Sequence, residues 1–203
     1  TDLFRVYQDG LKGRPDSIQG VFEALLKEEP ESPVYNYLLG RYLQVHKSND
    51  PASVTRARAC LNASLAIEPG YPWAYVAQAY PAMQRTDYPA AIALYRKSVQ
   101  TDPTFAVGYR LLADCYKKTG NSDAYDRVID SAIANIPDLA DAYDFRKEKI
   151  RAQSDVAEVI REYRELAAMS TDDKLTSRIY SEMLPDLGNQ NLDSAVVIAR
   201  SVI

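Results

Sequence analysis

The sequence predicts an all-α protein made of stacked helical hairpins, an α-solenoid. Two sets of residues recur at an interval of 34 positions: Pro69, Pro103 and Pro137, and Tyr75, Tyr109 and Tyr143. A fixed repeat of this length is typical of units that cannot bury their own apolar face and must stack on neighbours. The period therefore predicts the architecture directly, and it indicates function only indirectly.

The second helix of each hairpin shows the same register at three positions. The recurring sets are Ala57, Ala91, Tyr125 and Val159; Leu61, Tyr95, Ile129 and Tyr163; and Ser64, Ser98, Ala132 and Leu166. Within a unit these positions are separated by four and then three residues, so they lie on one face of a helix. The first helix carries a small residue opposite them, at Gly40, Ala79 and Ala113. We therefore expect the two helices to approach closely.

This pattern resembles the tetratricopeptide repeat (TPR) family, whose 34-residue unit carries an aromatic residue, a small residue, an alanine pair and a closing proline. The best match is in residues 106–139: Tyr109, Leu112, Ala113, Tyr116, Gly120, Ile129, Ala132 and Pro137. The next best is in residues 72–105: Tyr75, Ala79, Tyr88, Ala91, Tyr95 and Pro103. The resemblance implies a right-handed superhelix of about five to six antiparallel hairpins.

The predicted units form one solenoid domain over residues 1–203. Their ranges are about 1–32, 33–71, 72–105, 106–139, 140–173 and 174–203. The second unit fits if the loop from His46 to Asp50 holds five extra residues, and the first is degenerate, with Ile18, Phe22 and Pro30 in register. The chain does not begin with Met and its last residues keep a helical pattern, so we expect a piece of a larger protein.

Local signals agree with these hairpins. Ser32-Pro33 and Asp50-Pro51 place an N-cap acceptor before a proline at the first helical position. Gly120 and Gly188 fall at predicted turns. Pro81 disagrees, because it lies inside a predicted helix and removes the hydrogen bond to the Ala77 carbonyl. Either the helix kinks or breaks near Tyr80, or Pro81 ends a short helix.

The pattern weakens towards the C-terminus. Arg146 and Lys147 take the positions of a Leu and a small residue, so we expect the first helix of unit 140–173 to pack differently. Its second helix keeps an apolar stripe: Val156, Val159, Ile160, Tyr163, Leu166 and Ala167. A sixth hairpin is predicted from Leu175, Ile179 and Leu184 before Gly188 and from Leu192, Ala195, Val196 and Ala199 after it.

Composition argues against several classes of function. A net charge of -4 gives no basic groove for nucleic acid, and no apolar run is long enough for membrane insertion. Catalytic motifs are lacking, so we expect no enzyme. One His and two cysteines make neither a metal site nor a cofactor site. By register Cys60 and Cys115 lie on different helix faces, and we expect both to be buried rather than paired.

In the TPR geometry the first helix of each hairpin lines a concave groove. The resemblance places these residues of the chain in a peptide-binding groove: Tyr37, Arg41, Trp73, Val76, Tyr80, Met83, Arg110, Asp114 and Lys117. Val34, Gln44 and Val107 also point inward, and the next unit contributes Asp141, Asp144, Glu148 and Arg151. An aromatic N-terminal half suits an amphipathic helix or an extended apolar peptide. The Lys and Asn clamp for chaperone tails is absent.

These observations predict a non-catalytic scaffold that binds a protein or peptide. Three alternatives stay open. In the first, flanking hairpins cover Trp73 and Tyr80. In the second, the segment is a self-associating homo-oligomer or a spacer. In the third, it is an accessory domain of an exported enzyme. The sequence does not indicate the compartment.

Overall fold

The computed structural model describes residues 15–153 and 155–188, and within them every regular element is a helix. In chain order the helices are α1 (Pro15–Glu28), α2 (Pro33–His46), α3 (Pro51–Ile67), α4 (Pro72–Gln84), α5 (Tyr88–Thr101), α6 (Ala106–Lys118), α7 (Ser122–Asn135), α8 (Leu139–Arg151), α9 (Val156–Met169) and α10 (Asp173–Gly188). The all-α prediction is confirmed. The second helix of the predicted sixth hairpin lies outside the described residues.

The chain divides into two compact units, with the boundary between Gly120 and Asn121. In the first unit, α2 packs most extensively on α3, and α4 packs on α5. Ile18 and Phe22 of α1 are buried against α2, so the degenerate first repeat contributes to this core. In the second unit, α9 packs more extensively on α10 than on α8.

The three recurring positions of the second helices, which we call ladders, form much of the core. The following ladder residues are buried: Ala57, Leu61, Ser64, Ala91, Tyr95, Ser98, Ile129, Ala132, Val159, Tyr163 and Leu166. Tyr125 is half-buried, and its hydroxyl donates a hydrogen bond to Glu148 over 3.0 Å. Cys60 and Cys115 are both buried and free, as predicted.

The five extra residues of the second repeat do not all lie in its loop. Helix α3 has 17 residues where α5 has 14, and α2 has 14 where α4 has 13. Most of the insertion therefore extends helices, since an added turn of α3 keeps its backbone hydrogen-bonded. His46 is the last residue of α2 rather than part of the loop, and its ring lies 4.8 Å from that of Tyr42.

The predicted caps are present. The Ser32 hydroxyl accepts a hydrogen bond from the Tyr35 amide, and the Asp50 carboxylate accepts from the amides that follow Pro51. These side chains satisfy amides that the first helical turn leaves unpaired. Gly120 has φ +68°, a conformation that glycine adopts without steric cost, in the turn after α6.

Pro81 neither breaks nor ends its helix, because α4 continues through it to Gln84. Proline cannot donate to the Ala77 carbonyl, but the Gln44 side chain does so in its place, with Nε2 at 2.8 Å. Arg41 donates to the Gln44 side-chain oxygen over 2.9 Å and holds that amide in place. A side chain of the neighbouring hairpin thus replaces the missing backbone bond.

Gln44→Leu is expected to lower the free energy of unfolding by about 1.5 kcal/mol, because it leaves the Ala77 carbonyl without its donor. In a Pro81→Ala background the backbone N–H that proline lacks is restored, and the same change should cost about 0.5 kcal/mol or less. Urea unfolding of all four proteins measures the coupling. An equal cost of Gln44→Leu in both backgrounds would contradict this role of Gln44.

Charged side chains join α8 to α10 in the second unit. Lys147 contacts Glu182 at 2.7 Å, and Arg178 contacts both Glu182 at 2.9 Å and Asp144 at 2.8 Å. Lys147 occupies the register of a small residue. Its side chain extends to α10 and is only 12% exposed. A charged side chain thus contacts α10 from a position where the repeat pattern has a small residue.

A second set of contacts continues the same connection. Arg151 donates two hydrogen bonds to Asp186, at 2.7 and 2.8 Å, and the hydroxyl of Tyr163 donates to the same carboxylate. Burial raises the pKa of Asp186, but the hydrogen bonds from Arg151 and Tyr163 outweigh it and lower the pKa overall. Of the three apolar residues from which α10 was predicted, Leu175 and Ile179 are buried but Leu184 is 45% exposed, and Met183 and Leu187 are buried instead.

The Glu182 carboxylate makes stability depend on pH. Burial raises its pKa, but hydrogen bonds from Lys147, Arg178 and Tyr143 lower it to about 2 from an ordinary 4.5. Between these values the unfolded chain binds more protons than the folded one, so acid favours unfolding. This contribution is fully present above pH 4.5 and is lost as the pH falls towards 2.

Glu182→Gln is expected to cost about 2 kcal/mol at neutral pH and less near pH 2, where about half of the native carboxylates are themselves protonated. The charged groups around Glu182 are Lys147, Arg178 and Asp144. Removing the Glu182 charge leaves the two cations with one carboxylate between them. Urea unfolding at neutral and acid pH tests this expectation. A cost that does not change with pH would show that the ionised carboxylate is not the source of the stability.

Candidate functional site

An aromatic cluster of the first unit joins α2 to the starts of α4 and α6. We define it as Tyr37, Tyr71, Trp73 and Phe105. Tyr37 lies 5.4 Å from Tyr71 and 6.5 Å from Trp73 between ring centroids. Trp73 meets Phe105 edge to face at 4.9 Å. Such arrangements fix the rings relative to each other.

Trp73 remains 40% exposed although its ring contacts those of Tyr37 and Phe105, and Tyr37 in turn contacts Tyr71. Trp73 is the second residue of α4 and follows Pro72, so its backbone is fixed by the first turn of the helix. Val34, at the corresponding position of α2, is 37% exposed. Burial raises the pKa of Tyr71 to about 12, with Tyr37 and Glu68 as further causes, so its phenol stays neutral. The cluster therefore presents an uncharged, supported apolar surface.

Further along α2 and α4, an arginine of one helix lies over an aromatic ring of the other. The Arg41 guanidinium lies 4.7 Å from the centre of the Tyr80 ring, a distance at which cation and π-system attract. Together with Tyr37 and Gln44, Arg41 forms one strip of α2 that contacts α4. The structure thus brings together four of the residues predicted for the groove, in two pairs: Tyr37 with Trp73, and Arg41 with Tyr80.

The other predicted groove residues have different surroundings. Val76 is half-buried. Met83 is also half-buried, and its sulphur accepts from the Cys115 thiol at 3.5 Å. Three charged residues form an exposed strip on α6: Arg110, Asp114 and Lys117. Helix α6 contacts the aromatic cluster through Phe105, the residue that precedes it.

Sequence reasoning missed Tyr71 and Phe105. Both stand at the N-cap of a first helix, where neither makes a side-chain cap hydrogen bond. The Phe105 ring instead packs on Trp73, and the Tyr71 ring packs on Tyr37. The signal was available, since the two positions are themselves 34 residues apart.

Other kinds of site find no support in the described part of the chain. Within residues 15–153 and 155–188, no group of three or more His, Cys, Asp or Glu side chains is placed to hold a metal ion. The helices described here include none with the length and apolar character needed to cross a membrane. The aromatic cluster is therefore the candidate functional site.

Comparison with solved structures identifies the fold. A tetratricopeptide repeat protein from Parabacteroides merdae matches with a TM-score of 0.51 at 16% identity, over 89% of this chain and 68% of that one. A thermophilic TPR protein from Thermus thermophilus matches with a TM-score of 0.50 at 20% identity, over 90% and 96%. The MamA protein matches with a TM-score of 0.51 at 17% identity, over 89% and 87%.

No protein-family model matches the chain, and no curated protein matches it. At such identities the structural similarity establishes the fold alone. That fold is the TPR-like helical repeat that the 34-residue register predicted.

Proposed function

We propose that this chain, whose fold is that of the tetratricopeptide repeats, is a non-catalytic scaffold that binds a protein partner through its aromatic cluster. The observation that carries the proposal is the 40% exposure of Trp73 on a fixed support of Tyr37 and Phe105. A rigid, partly exposed Trp supplies large contact area at little entropic cost. Such residues dominate the energetics of many interfaces.

The shape and charge of this surface favour an apolar segment, either an amphipathic helix or an extended peptide. Val34 and Trp73 expose apolar area at the starts of two first helices, one repeat apart. The groove residues Val76 and Tyr80 continue from Trp73 along α4, on the side of that helix where Arg41 lies over Tyr80. A ligand with apolar side chains at helical spacing would match this row.

Affinity capture from native lysate with the chain as bait, followed by measurement of Kd for the purified partner, tests the proposal. We expect the Trp73→Ala, Tyr80→Ala double variant to bind at least about 100-fold more weakly, since each anchor contributes roughly 2 kcal/mol or more. Ile67→Ala is the matched control, because Ile67 is also 40% exposed and lies on α3 outside the cluster. Circular dichroism verifies that the variants are folded.

Two outcomes would reject this function. If the double variant and the control recover the same partners as the parent chain, the cluster is not the binding surface. If sedimentation shows a symmetric dimer that the double variant dissociates, the aromatic surface joins two copies of the chain instead. The proposal requires a partner, other than a second copy of this chain, that the Ile67→Ala variant still binds and the double variant does not.

A further inference from the structure

A cleft of about 670 Å³ lies between the α2–α3 hairpin and the α4–α5 hairpin. It borders the side of α4 that faces α3. Tyr80 belongs to its lining, but Trp73, Tyr37 and Phe105 do not. Leu61, Pro81 and Leu94 give it an apolar surface. A volume of this size is within the range of ligand-binding clefts, about 300–1,000 Å³.

The repeat register explains why the cleft is open. One position of a second helix faces one position of the next first helix, and the successive pairs are Phe22 with Tyr42, Leu61 with Pro81, and Tyr95 with Cys115. Phe22 and Tyr42 fill their junction edge to face at 6.1 Å. The Leu61 and Pro81 pair is the only one of the three without an aromatic ring, so less volume fills this junction.

A second register position makes the same junction polar. Gln78 stands where the neighbouring repeats have Leu39 and Leu112, which are both buried. The Gln78 side chain donates to Asn62 across the junction over 2.8 Å. The wall of the cleft therefore offers amide groups beside apolar ones, as a peptide backbone requires.

The charge of the cleft is positive. Arg58 and Arg85 both line it and are exposed, and no acidic residue belongs to its lining. Within residues 15–153 and 155–188, neither guanidinium takes part in a hydrogen bond or an ion pair. Two cations without an acidic partner beside an apolar surface are complementary to a ligand that carries both carboxylate and apolar groups.

We propose that this cleft is a second binding site, which takes a short peptide segment with acidic side chains next to an apolar one. The carboxylates pair with Arg58 and Arg85, and the apolar side chain packs on Leu61 and Pro81. A chain segment fits better than a small metabolite, because the polar lining is largely exposed while small ligands are usually about 70–90% enclosed. The site does not rest on the function proposed for the aromatic cluster, although Tyr80 lines the cleft and also belongs to the surface proposed there.

A random heptapeptide library displayed on phage tests the site without requiring an identified partner. We expect selection on the intact chain to enrich peptides with Asp or Glu beside an apolar residue. The Arg58→Ala, Arg85→Ala double variant should bind a synthetic copy of the selected peptide at least about tenfold more weakly. Both arginines are exposed, so its thermal unfolding should match that of the parent.

A second variant tests the location by filling the cleft. Pro81→Tyr restores the residue type that α2 carries at this register and should abolish binding of the selected peptide without loss of stability. Trp73→Ala should leave the affinity unchanged, which separates this site from the aromatic cluster. If that variant removes binding, the peptide occupies the cluster and the cleft assignment is wrong.

Three further results would overturn the proposal. The first is a selection that yields no enriched peptides, and the second is equal binding to the arginine double variant. The third is displacement of the peptide by free glutarate at concentrations as low as those of the peptide itself. Glutarate carries the carboxylates alone, so that result would mean that the cleft binds small dicarboxylates and not a peptide.

Discussion

Tyr143→Ala is expected to lower the free energy of unfolding by about 4 kcal/mol, the cost of removing a large ring from a packed core. Tyr143 is fully buried, among apolar residues of α8, α9 and α10. Its hydroxyl donates to Glu182 over 2.9 Å, and the Arg178 guanidinium lies 4.8 Å from its ring centre. Alanine would therefore remove the packing, the hydrogen bond and the surface on which the cation rests.

Tyr143→Phe is the matched control, since it keeps the ring and removes only the hydroxyl. It should cost about 1 kcal/mol, the usual contribution of one hydrogen bond. Urea unfolding followed by far-ultraviolet circular dichroism measures both variants. Similar costs for the two would mean that the hydrogen bond, and not the buried ring, supplies most of the stability at this position.

Gly40→Leu is expected to lower the free energy of unfolding by about 3 kcal/mol, because α2 and α3 leave no room for a side chain there. A Cβ atom at this position would lie 2.9 Å from Cγ of Leu61 and 3.0 Å from the backbone oxygen of Ala57. The Leu61 side chain can move, but the carbonyl can move only with its helix. The hairpin would have to separate.

Gly20→Leu provides the comparison in another helix of the same unit. A Cβ atom at Gly20 would meet nothing within 4 Å, and the residue is exposed on α1. Leucine has the higher helix propensity, so this change should raise stability by about 0.5 kcal/mol. Unfolding of the first unit is followed by the fluorescence of Trp73, the single Trp of the chain. Tolerance of leucine at Gly40 would contradict the close helix approach.

The sequence predicted the core well because stacking requires the same residue type at each repeat. The ladder of Leu61, Tyr95 and Tyr163 is buried as its register required. The close approach at Gly40 was also predictable, since only a small residue fits between two packed helices. Such constraints are local to one hairpin and its neighbour, and they repeat along the chain.

Features found once in the chain were not predictable in the same way. The hydrogen bond from Gln44 to the Ala77 carbonyl joins two repeats and depends on Pro81, where the neighbouring repeats have Tyr42 and Cys115. The ion pair of Lys147 with Glu182 likewise depends on a residue that departs from the repeat pattern. Sequence showed where these departures occur, but it could not show which distant side chain compensates for each.

The candidate site was predicted in part. The resemblance placed Tyr37, Trp73 and Tyr80 on one surface, and the structure brings Tyr37 to Trp73 and Arg41 to Tyr80. Tyr71 was assigned no role because the predicted groove took its residues from within the first helices, and Tyr71 precedes one. The identity of a partner depends on exposed side chains, which the stacking of repeats does not constrain.

A fluorescence titration of the chain with its captured, purified partner tests the central claim most directly. Because the chain has one Trp, selective excitation reports on the aromatic cluster, provided that the partner segment is prepared as a peptide without Trp. Binding at the cluster predicts a saturable blue shift of the Trp73 emission and protection from acrylamide quenching, since a ligand would displace water from the exposed ring. Saturation of the partner with an unchanged Trp73 spectrum and unchanged quenching would contradict the proposed binding surface.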